Sequence, residues 1–271
     1  MISPPYQAVA FDLDDTLLRD DRTISGYTLS VLHALDRKGV RLLPVSGRTR
    51  LSMKPYVDQI GNIPLYISCN GAEIWKTESD VPLHAERFTV ALGKEIAAFG
   101  KRHGCYAHTY GDSCFYFNFH CVWAERYAES SSLTGVCVGD LEEYIREPRN
   151  KILMVDEADK ITAMLAEAED QFRGRASVTS SKPLYLEFNP AGATKGNALR
   201  LAAGMLGLRM EDIVAFGDSL NDLSMLQSAG LGVIMANGRE ELRPLCGGVC
   251  GTNQEDGVAR CLETLFREVL A

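Results

Sequence analysis

The 271-residue sequence has no long apolar run, no closely spaced pair of cysteines and no excess of positive charge. No run approaches the roughly 20 apolar residues that a membrane-spanning helix needs, so we expect no membrane partner. The 28 lysines and arginines are outnumbered by 36 aspartates and glutamates, and the net charge of −8 argues against a nucleic-acid partner. A small anionic substrate remains compatible with this charge, because a site can be locally positive inside a negative protein.

The eight cysteines are scattered along the chain, and none of them forms a Cys-x-x-Cys pair. A chain of this length does not need a disulfide scaffold, so we expect reduced thiols and a cytoplasmic protein. The first residues, 1–6, lack a basic region followed by an apolar core and therefore predict no signal peptide. The composition, 46% hydrophobic and 24% charged, is typical of a globular protein with one large domain or two modest ones.

Apolar strands alternate with helical segments at the start of the chain. Strands are predicted over residues 7–12, 40–45 and 65–68, and helices over 25–38 and 51–59. Ser25 is the expected N-cap of the first helix, and Pro55 is expected to shorten or kink the second. Near-continuous apolar strands with helical crossovers indicate a parallel sheet covered on both faces, whose carboxyl ends line a ligand crevice.

The pattern changes after residue 82 and returns at residue 189. The intervening segment predicts helices over 90–103 and 158–172 and short strands over 105–110, 115–119, 151–155, 176–179 and 184–188, with a hairpin turn at 111–113. The last part predicts helices over 195–206, 223–228 and 257–270 and strands over 213–216 and 231–234. We therefore expect a doubly wound, Rossmann-like parallel α/β core, residues 1–82 and 189–271, interrupted by an inserted α+β cap domain, residues 83–188.

The first predicted strand ends in two carboxylates, Asp12 and Asp14. Residues i and i+2 of a strand point the same way, so the two side chains repel unless a cation or a shared proton lies between them. Such a pair suits a hard, oxygen-seeking metal, and it suits chemistry that needs one nucleophilic and one proton-carrying carboxylate. The alternative is an Asp-rich turn after a strand.

Three further polar clusters follow predicted strands or begin a predicted helix. Ser46 and Gly47 offer a hydroxyl and backbone N–H groups that can hold phosphate oxygens, although a simple turn has the same composition. Lys195 begins a helix, where its charge is unfavourable for the helix dipole, so it is either functional or a solvated surface lysine. Residues 217–222 place two more carboxylates and an amide at a strand end, where Asp222 is alternatively a helix cap.

Together, the four clusters resemble the motifs of the haloacid dehalogenase superfamily of aspartate-nucleophile phosphatases, in order and in character. The resemblance is closer to the Cof-type branch, in which a cap domain is inserted between the second and third motifs. It covers essentially the whole chain and is carried by Phe-Asp-Leu-Asp-Asp-Thr-Leu-Leu (11–18), Ser-Gly-Arg (46–48), Asn-Gly-Ala (70–72), Ala-Thr-Lys-Gly (193–196), Gly-Asp-Ser-Leu-Asn-Asp-Leu-Ser-Met-Leu (217–226) and Glu-Asp-Gly-Val-Ala (255–259).

The resemblance implies a phosphomonoester hydrolase that works through an aspartyl-phosphate. It makes Asp12 the nucleophile and Asp14 the general acid and base, and the neighbouring negative charge is expected to raise the pKa of Asp14. It implies Mg²⁺ held by Asp12, the backbone carbonyl of Asp14, and Asp218. The other implied roles are phosphate binding by Ser46, Lys195, Asn221 and the backbone N–H groups of Leu13 and Gly47, and support from Thr16, Asn70 and Asp222, the last through metal-bound water.

The cap is expected to close over the phosphate site, exclude water and contact the organic part of the substrate. Its aromatic residues are more typical of sheet packing than of ligand contacts, so we assign none of them to the site. The expected substrate is a small phosphorylated metabolite, with sugar phosphates first. Two alternatives remain open: a phosphomutase, whose cap would hold a second phosphate through basic residues, and a signalling module that is phosphorylated on Asp12. The sequence predicts no oligomeric state.

Overall fold

The protein is represented by a computed structural model, which describes residues 6–111 and 114–270. The strands are β1 (Ala8–Phe11), β2 (Arg41–Pro44), β3 (Leu65–Ser68), β4 (Glu73–Lys76), β5 (His84–Ala85), β6 (Tyr106–Tyr110), β7 (Cys114–Phe117), β8 (Thr134–Cys137), β9 (Ile152–Val155), β10 (Ala176–Thr179), β11 (Tyr185–Pro190), β12 (Ile213–Gly217), β13 (Leu231–Met235) and β14 (Gly248–Cys250). The helices are α1 (Gly26–Arg37), α2 (Arg50–Ile60), α3 (Val90–Arg102), α4 (Val122–Ser131), α5 (Leu141–Tyr144), α6 (Ala158–Gln171), α7 (Lys195–Met205), α8 (Leu223–Ser228), α9 (Gly257–Leu265) and α10 (Arg267–Leu270).

Five strands form a parallel sheet in the order β14-β13-β12-β1-β2. Strand β1 lies inside this sheet, with Ala8 beside Ile213 of β12 on one side and Arg41 of β2 on the other. All residues of β1 are inaccessible to solvent, as its continuous apolar run predicts for a strand buried on both faces. The predicted doubly wound α/β core is therefore present.

Alternate residues of β1 pack on opposite faces of the sheet. Val9 and Phe11 belong to a cluster that includes residues of α1 and α9. Ala8 and Ala10 belong to a second cluster, which includes residues of α7 and α8. Helix α7, which begins at Lys195, packs on this second face of the sheet.

Strand β3 occupies the predicted residues but lies mainly in a separate antiparallel sheet of order β3-β4-β5. Its link to the parallel sheet is a single bridge between Val45 and Ile67, next to the hydrogen bond from the Ser46 N–H to the Ile67 carbonyl at 2.9 Å. Strands β4 and β5 were not predicted from the sequence. Both are short strands of mixed polarity, which periodicity detects poorly.

The inserted segment forms a six-stranded sheet in the order β10-β11-β9-β6-β7-β8, antiparallel except for the β7–β8 pair. Helices α3 and α6 pack on one face of this sheet through Phe99 and Met164, and α4 packs on the other face through Ala124. Helices α4 and α5 and strand β8 were not predicted. Strand β8 is partly exposed along its whole length, so it lacks the alternation of a half-buried strand.

The positions at which the chain changes sheets lie close to the predicted domain boundaries. Strand β5, just after the predicted boundary at 82/83, pairs with β4, and β11 continues to Pro190, just beyond the predicted boundary at 188/189. The chain therefore changes sheets between Ala85 and Tyr106 and again after Pro190. The division into domains at 82/83 and 188/189 stays a prediction.

Most predicted elements differ from the structure by a few residues at their ends. Ser25 caps α1 by accepting a hydrogen bond from the Thr28 N–H at 2.9 Å, as expected, and α2 continues through Pro55. The closing helix is interrupted at Phe266, whose ring is fully buried in the core. The predicted turn at 111–113 includes Asp112 and Ser113, which lie outside the described residues. In the described ranges, no helix combines the length and apolarity that a bilayer span requires.

Candidate active site

The four polar clusters meet at one edge of the parallel sheet. Asp12 follows β1, Ser46 follows β2, Asp218 follows β12, and Lys195 is the first residue of α7. The carboxyl ends of parallel strands share an edge, so residues distant in sequence come together there. A cavity of about 300 Å³ opens between this edge and the cap. Its lining includes Asp12, Asp14, Ser46, Gly47, Asp218 and Asn221 from the core and Tyr127, Lys151, Tyr185 and Glu187 from the cap.

The chain turns sharply after Asp12. Residues Leu13–Leu17 form an irregular turn, in which Asp15 has a φ of 56°. The turn is closed by a hydrogen bond from the Leu18 N–H to the Leu13 carbonyl at 2.8 Å. It brings the Thr16 hydroxyl to Asp218, to which it donates at 3.1 Å. Thr16 thus connects the first cluster to the last, which gives the supporting role predicted for it a physical basis.

Lys195 is fully buried and lies between two carboxylates. Its Nζ is 2.8 Å from Asp12 Oδ1 and 2.5 Å from Asp222 Oδ1. Burial alone would lower the pKa of Lys195, but these two carboxylates raise it above its ordinary value. The solvated surface lysine, which the sequence left open as an alternative, is therefore wrong. Lys195 is a buried ammonium group in contact with Asp12.

Two glycines permit the close approach that places α7 at the site. A Cβ on Gly196 would lie 2.3 Å from the Ser224 carbonyl oxygen of α8. A Cβ on Gly71, where φ is +103°, would lie 2.4 Å from the carbonyl oxygen of Thr194, the N-cap of α7. Any larger side chain at either position would displace the start of α7 and therefore Lys195.

Asp222 supports the turn after β12. Its Oδ2 accepts hydrogen bonds from the backbone N–H groups of Asp218 and Ser219, both at 3.0 Å, while its Oδ1 holds Lys195. The sequence interpretation gave Asp222 a supporting role through metal-bound water. In the structure, Asp222 contacts Lys195 and the backbone of Asp218 and Ser219, and its role through metal-bound water stays a prediction.

The carboxylate of Asp14 is held by Arg48, a residue to which the sequence interpretation gave no role. Arg48 Nε lies 2.7 Å from Asp14 Oδ2, and Arg48 Nη2 lies 2.8 Å from Asp14 Oδ1. Burial raises the pKa of Asp14, but the hydrogen bonds and charge of Arg48 outweigh this effect, and the net result is a lowered pKa. The expectation of a raised pKa was therefore wrong for the substrate-free protein. Arg48 was visible in the Ser-Gly-Arg segment as a cation that follows a strand end.

The raised pKa values belong to Asp12 and Asp218 instead. Burial raises the pKa of Asp12 from 3.8 to about 7; Lys195 opposes the shift, and Asp222 and Asp14 add to it. Burial, followed by the charges of Asp222 and Asp12, raises the pKa of Asp218 well above its ordinary value. Both carboxyl groups resist ionisation because they are buried, and the neighbouring carboxylates add to this effect while Lys195 opposes it.

This charge distribution fits a hard divalent cation. Asp12, Asp218 and Asp222 each present a carboxylate oxygen, and these atoms lie within 4.8 Å of one another. Oxygen ligands of this kind suit Mg²⁺, whose charge would favour the ionised forms of Asp12 and Asp218. The Asp14 carboxylate is not in this group, because Arg48 holds it. The predicted ligand at that position, the Asp14 backbone carbonyl, stays a prediction.

The Ser46 loop and the Asn70 loop are joined through hydrogen bonds. The Arg48 N–H donates to Ser46 Oγ at 3.2 Å, and the Asn70 N–H donates to the Ser46 carbonyl at 3.0 Å. Asn70 has a φ of 56°, and its Oδ1 accepts from Asn221 Nδ2 at 3.1 Å. The structure thus places Ser46, Asn70 and Asn221 in one connected group beside Asp12.

Two buried cap residues that the sequence interpretation missed also contact this group. Lys151 Nζ donates to the Gly47 carbonyl at 3.0 Å and lies 2.9 Å from Glu187 Oε2. Glu187 also accepts hydrogen bonds from Asn70 Nδ2 and from Ser181 Oγ. In the sequence, Lys151 stands at the start of one apolar cap strand and Glu187 stands inside another. Charged residues are unusual at such positions unless they form a pair.

The chain belongs to the haloacid dehalogenase-like hydrolase family, which matches residues 9–262. A 5-amino-6-(5-phospho-D-ribitylamino)uracil phosphatase of Bacillus subtilis is 30% identical over 98% of this chain and 99% of its own length. An HMP-PP phosphatase of Serratia proteamaculans is 27% identical over 97% of this chain and 96% of its own length. The crystal structure of a haloacid dehalogenase-like hydrolase from Bacteroides thetaiotaomicron has a TM-score of 0.83 at 27% identity and covers 96% of this chain and 100% of its own.

These similarities confirm three predictions: the family, the α/β core with an antiparallel cap sheet, and the class of enzyme, a phosphatase of this family. They do not test the individual site residues. The roles of nucleophile, acid, phosphate ligands and metal ligands therefore stay predictions.

Proposed function

We propose that this protein is a Mg²⁺-dependent phosphomonoester hydrolase that acts on small phosphorylated metabolites through an aspartyl-phosphate on Asp12. The observation that carries the proposal is the buried contact of Lys195 with Asp12, beside Asp218, at the end of β1. A fully buried cation against a crowded set of carboxylates is poorly suited to stability but well suited to holding a phosphoryl group next to a nucleophile.

In the first step, a carboxylate oxygen of Asp12 attacks phosphorus in line, and the bond from phosphorus to the ester oxygen breaks. Ser46 Oγ, Lys195 Nζ and the backbone N–H groups of Leu13 and Gly47 hold the phosphoryl oxygens. Mg²⁺, held by Asp12, the Asp14 carbonyl and Asp218, would supply positive charge that offsets repulsion between the anionic nucleophile and the phosphate. Water then attacks the aspartyl-phosphate, which releases phosphate and restores Asp12.

Asp14 donates a proton to the leaving alkoxide and later accepts a proton from the attacking water. Without substrate, Arg48 keeps the pKa of Asp14 low, so Asp14 starts as a carboxylate. A bound phosphate dianion places negative charge beside Asp14, which raises its pKa, so that Asp14 takes up a proton from solvent before it donates that proton to the leaving alkoxide. The contact with Arg48 opposes this proton uptake.

The cavity limits the size of the organic group. Its volume of about 300 Å³ suits a sugar phosphate or a compound of similar size, and most of the residues that line it are polar or charged. The two relatives named above are, by their names, phosphatases of 5-amino-6-(5-phospho-D-ribitylamino)uracil and of HMP-PP, which supports a small phosphorylated metabolite as the substrate. The eight cysteines form no disulfide, which supports a cytoplasmic location.

The cap offers little support for a second phosphate site, which a phosphomutase would need. Of the basic cap residues that line the cavity, Lys151 is paired with Glu187, and Lys182 lies 3.6 Å from Asp15. The third, Arg126, is exposed, and its guanidinium lies over the ring of Trp123.

The test is phosphate release from a broad panel of phosphorylated metabolites, with Mg²⁺ and with chelator, for the wild type and Asp12→Asn. We expect metal-dependent release from the wild type and none from the variant. Phosphoryl transfer within one substrate, without release, would support the mutase instead. A stable phosphorylated Asp12 with no turnover would support the signalling module.

A further inference from the structure

Two charged side chains of the cap are buried against the phosphate site. The side chains of Lys151 and Glu187 are 4% and 3% exposed, and their charged atoms lie 2.9 Å apart. Lys151 precedes β9 and Glu187 lies in β11, and these strands pair, with Glu187 opposite Leu153. Both residues line the cavity, so the ion pair lies where the cap meets the core.

Lys151 is connected to Ser46 through one peptide group. Its Nζ donates to the Gly47 carbonyl at 3.0 Å. The same peptide carries the Arg48 N–H, which donates to Ser46 Oγ at 3.2 Å. Rotation of this peptide would break both hydrogen bonds, so Lys151 fixes the orientation of the group that holds the Ser46 hydroxyl.

Glu187 is connected to Asn221 through Asn70. The Glu187 carboxylate accepts a hydrogen bond from Asn70 Nδ2, which sets the orientation of that amide. Asn70 Oδ1 then points to Asn221 Nδ2 at 3.1 Å. A second contact to the cap, from Ser219 Oγ to the Ser181 carbonyl at 2.6 Å, lies beside Asp218. Each of these hydrogen bonds connects the cap to the core beside the proposed phosphate site.

An ion pair buried to this degree is a poor source of stability. Desolvation of both charges offsets most of their attraction, and a well-packed apolar pair is often as stable or more stable. Glu187 is nevertheless held in its charged form: burial opposes ionisation, but Lys151 and the hydrogen bonds from Ser181 and Asn70 lower its pKa. The pair therefore fixes the geometry of the groups that it contacts, which are the Gly47 carbonyl and the Asn70 side chain.

We propose that Lys151 and Glu187 are positioning residues that hold the Ser46–Arg48 loop and Asn70 in phosphate-binding geometry. The phosphate site is then complete only while the cap is docked on the core. This inference rests on the proposed phosphatase function, and it assigns the cap a role that does not depend on the identity of the leaving group.

The test compares Lys151→Met, Glu187→Gln and the double variant with the wild type. Two substrates with unrelated leaving groups are used, p-nitrophenyl phosphate and the best metabolite of the panel, with binding of inorganic phosphate measured by calorimetry in Mg²⁺. We expect kcat/KM to fall about 10- to 100-fold, the range typical of residues that orient ligands of a site. The decrease should be equal for both substrates, with weaker phosphate binding, and the double variant should lose less than the product of the single losses.

The matched control is Lys160→Met. Lys160 also pairs with a cap carboxylate, Asp156, at 2.7 Å, but it does not line the cavity. This variant should match the wild type in both assays. If Lys151→Met fails to fold, Lys151→Gln, which keeps a donor but not the charge, serves in its place.

Wild-type kinetics and phosphate binding in the folded Lys151 and Glu187 variants would overturn the inference. A loss confined to one substrate would also overturn it, because it would mean that the pair contacts the leaving group. The failure of the proposed function would look different, since the wild type itself would then release no phosphate. Calorimetry would in that case still measure whether the pair affects phosphate binding.

Discussion

The core and the cap each bury charged side chains beside the same cavity, but they balance them differently. In the core, burial raises the pKa values of Asp12 and Asp218, and neighbouring carboxylates add to the shift because Asp12 and Asp222 share Lys195 as their counter-ion. In the cap, Lys151 and Glu187 balance each other, and the pKa of Glu187 falls. Uncompensated charge indicates a site that binds a ligand of opposite sign, whereas a balanced pair indicates a fixed geometry.

The sharpest test of this contrast is Asp12→Asn. We expect turnover to fall by about 10⁴-fold or more, because the amide is nearly isosteric but a poor nucleophile. The melting temperature without metal should stay equal or rise, since the change removes a carboxylate that resists ionisation in the folded state. Phosphate release and thermal unfolding measure the two effects. Asp58→Asn, on the exposed surface of α2, is the control. Substantial turnover in Asp12→Asn would contradict the role of Asp12.

Metal removal is the second test. Complete chelation should stop phosphate release, because positive charge is then missing from the cluster of Asp12, Asp218 and Asp222. Mg²⁺ should also raise the melting temperature of the wild type, since an ion that binds only the folded state stabilises it. Asp218→Asn should reduce this increase. Activity that survives complete chelation would exclude the metal role.

The third test removes charge balance in the cap. Glu187→Gln should lower the free energy of unfolding by about 3 kcal/mol, because Lys151 is left as a buried charge without a counter-ion. This change in stability has the opposite sign to the one expected for Asp12→Asn. Denaturant unfolding measures the change. The control is Glu95→Gln, which removes a charge from the half-exposed pair with Arg175 and should cost less than about 1 kcal/mol.

The smallest expected effect concerns His108 of the cap, which is fully buried with its Nε2 3.0 Å from the Tyr110 hydroxyl. Burial, with the charge of Lys151, holds the pKa of His108 well below its ordinary value of 6.5. Below that pH the unfolded chain binds a proton that the folded chain does not, so stability falls as pH falls. The slope should be up to about 1.4 kcal/mol per pH unit.

Unfolding measured between pH 7 and pH 5 for the wild type and His108→Gln tests this expectation. The variant has no titrating group at this position, so the difference between the two proteins should shrink as the pH falls. Parallel pH profiles would show that His108 takes up a proton in the folded state.

Much of the core was predictable from local patterns. The apolar runs of β1 and β12 identified buried strands, and polar residues directly after them marked the site. The cap was harder to predict, because α4 is short and β8 is mostly exposed, so neither has a strong periodicity. The aromatic residues of the cap mainly pack, as expected, although Tyr110, Tyr127 and Tyr185 also line the cavity.

The ionic contacts were not predictable in the same way. Arg48 and Asp14 are 34 residues apart in sequence, and the hydrogen bond from Lys151 to Gly47 spans 104 residues. No periodicity or spacing relates such positions. The raised pKa expected for Asp14 was wrong for this reason, since the contact between Arg48 and Asp14 depends on the fold.

The sequence by itself determined most strands and helices of the core and the residues that follow those strands, because periodicity and strand ends are local properties of the chain. Only the tertiary structure decided which charged side chains contact each other. Burial and distance set the pKa of a buried group, and both depend on segments far apart in the sequence. That is why the chain alone pointed to Asp12, Asp14 and Lys195, while the contacts of Arg48, Lys151 and Glu187 were defined only by the folded protein.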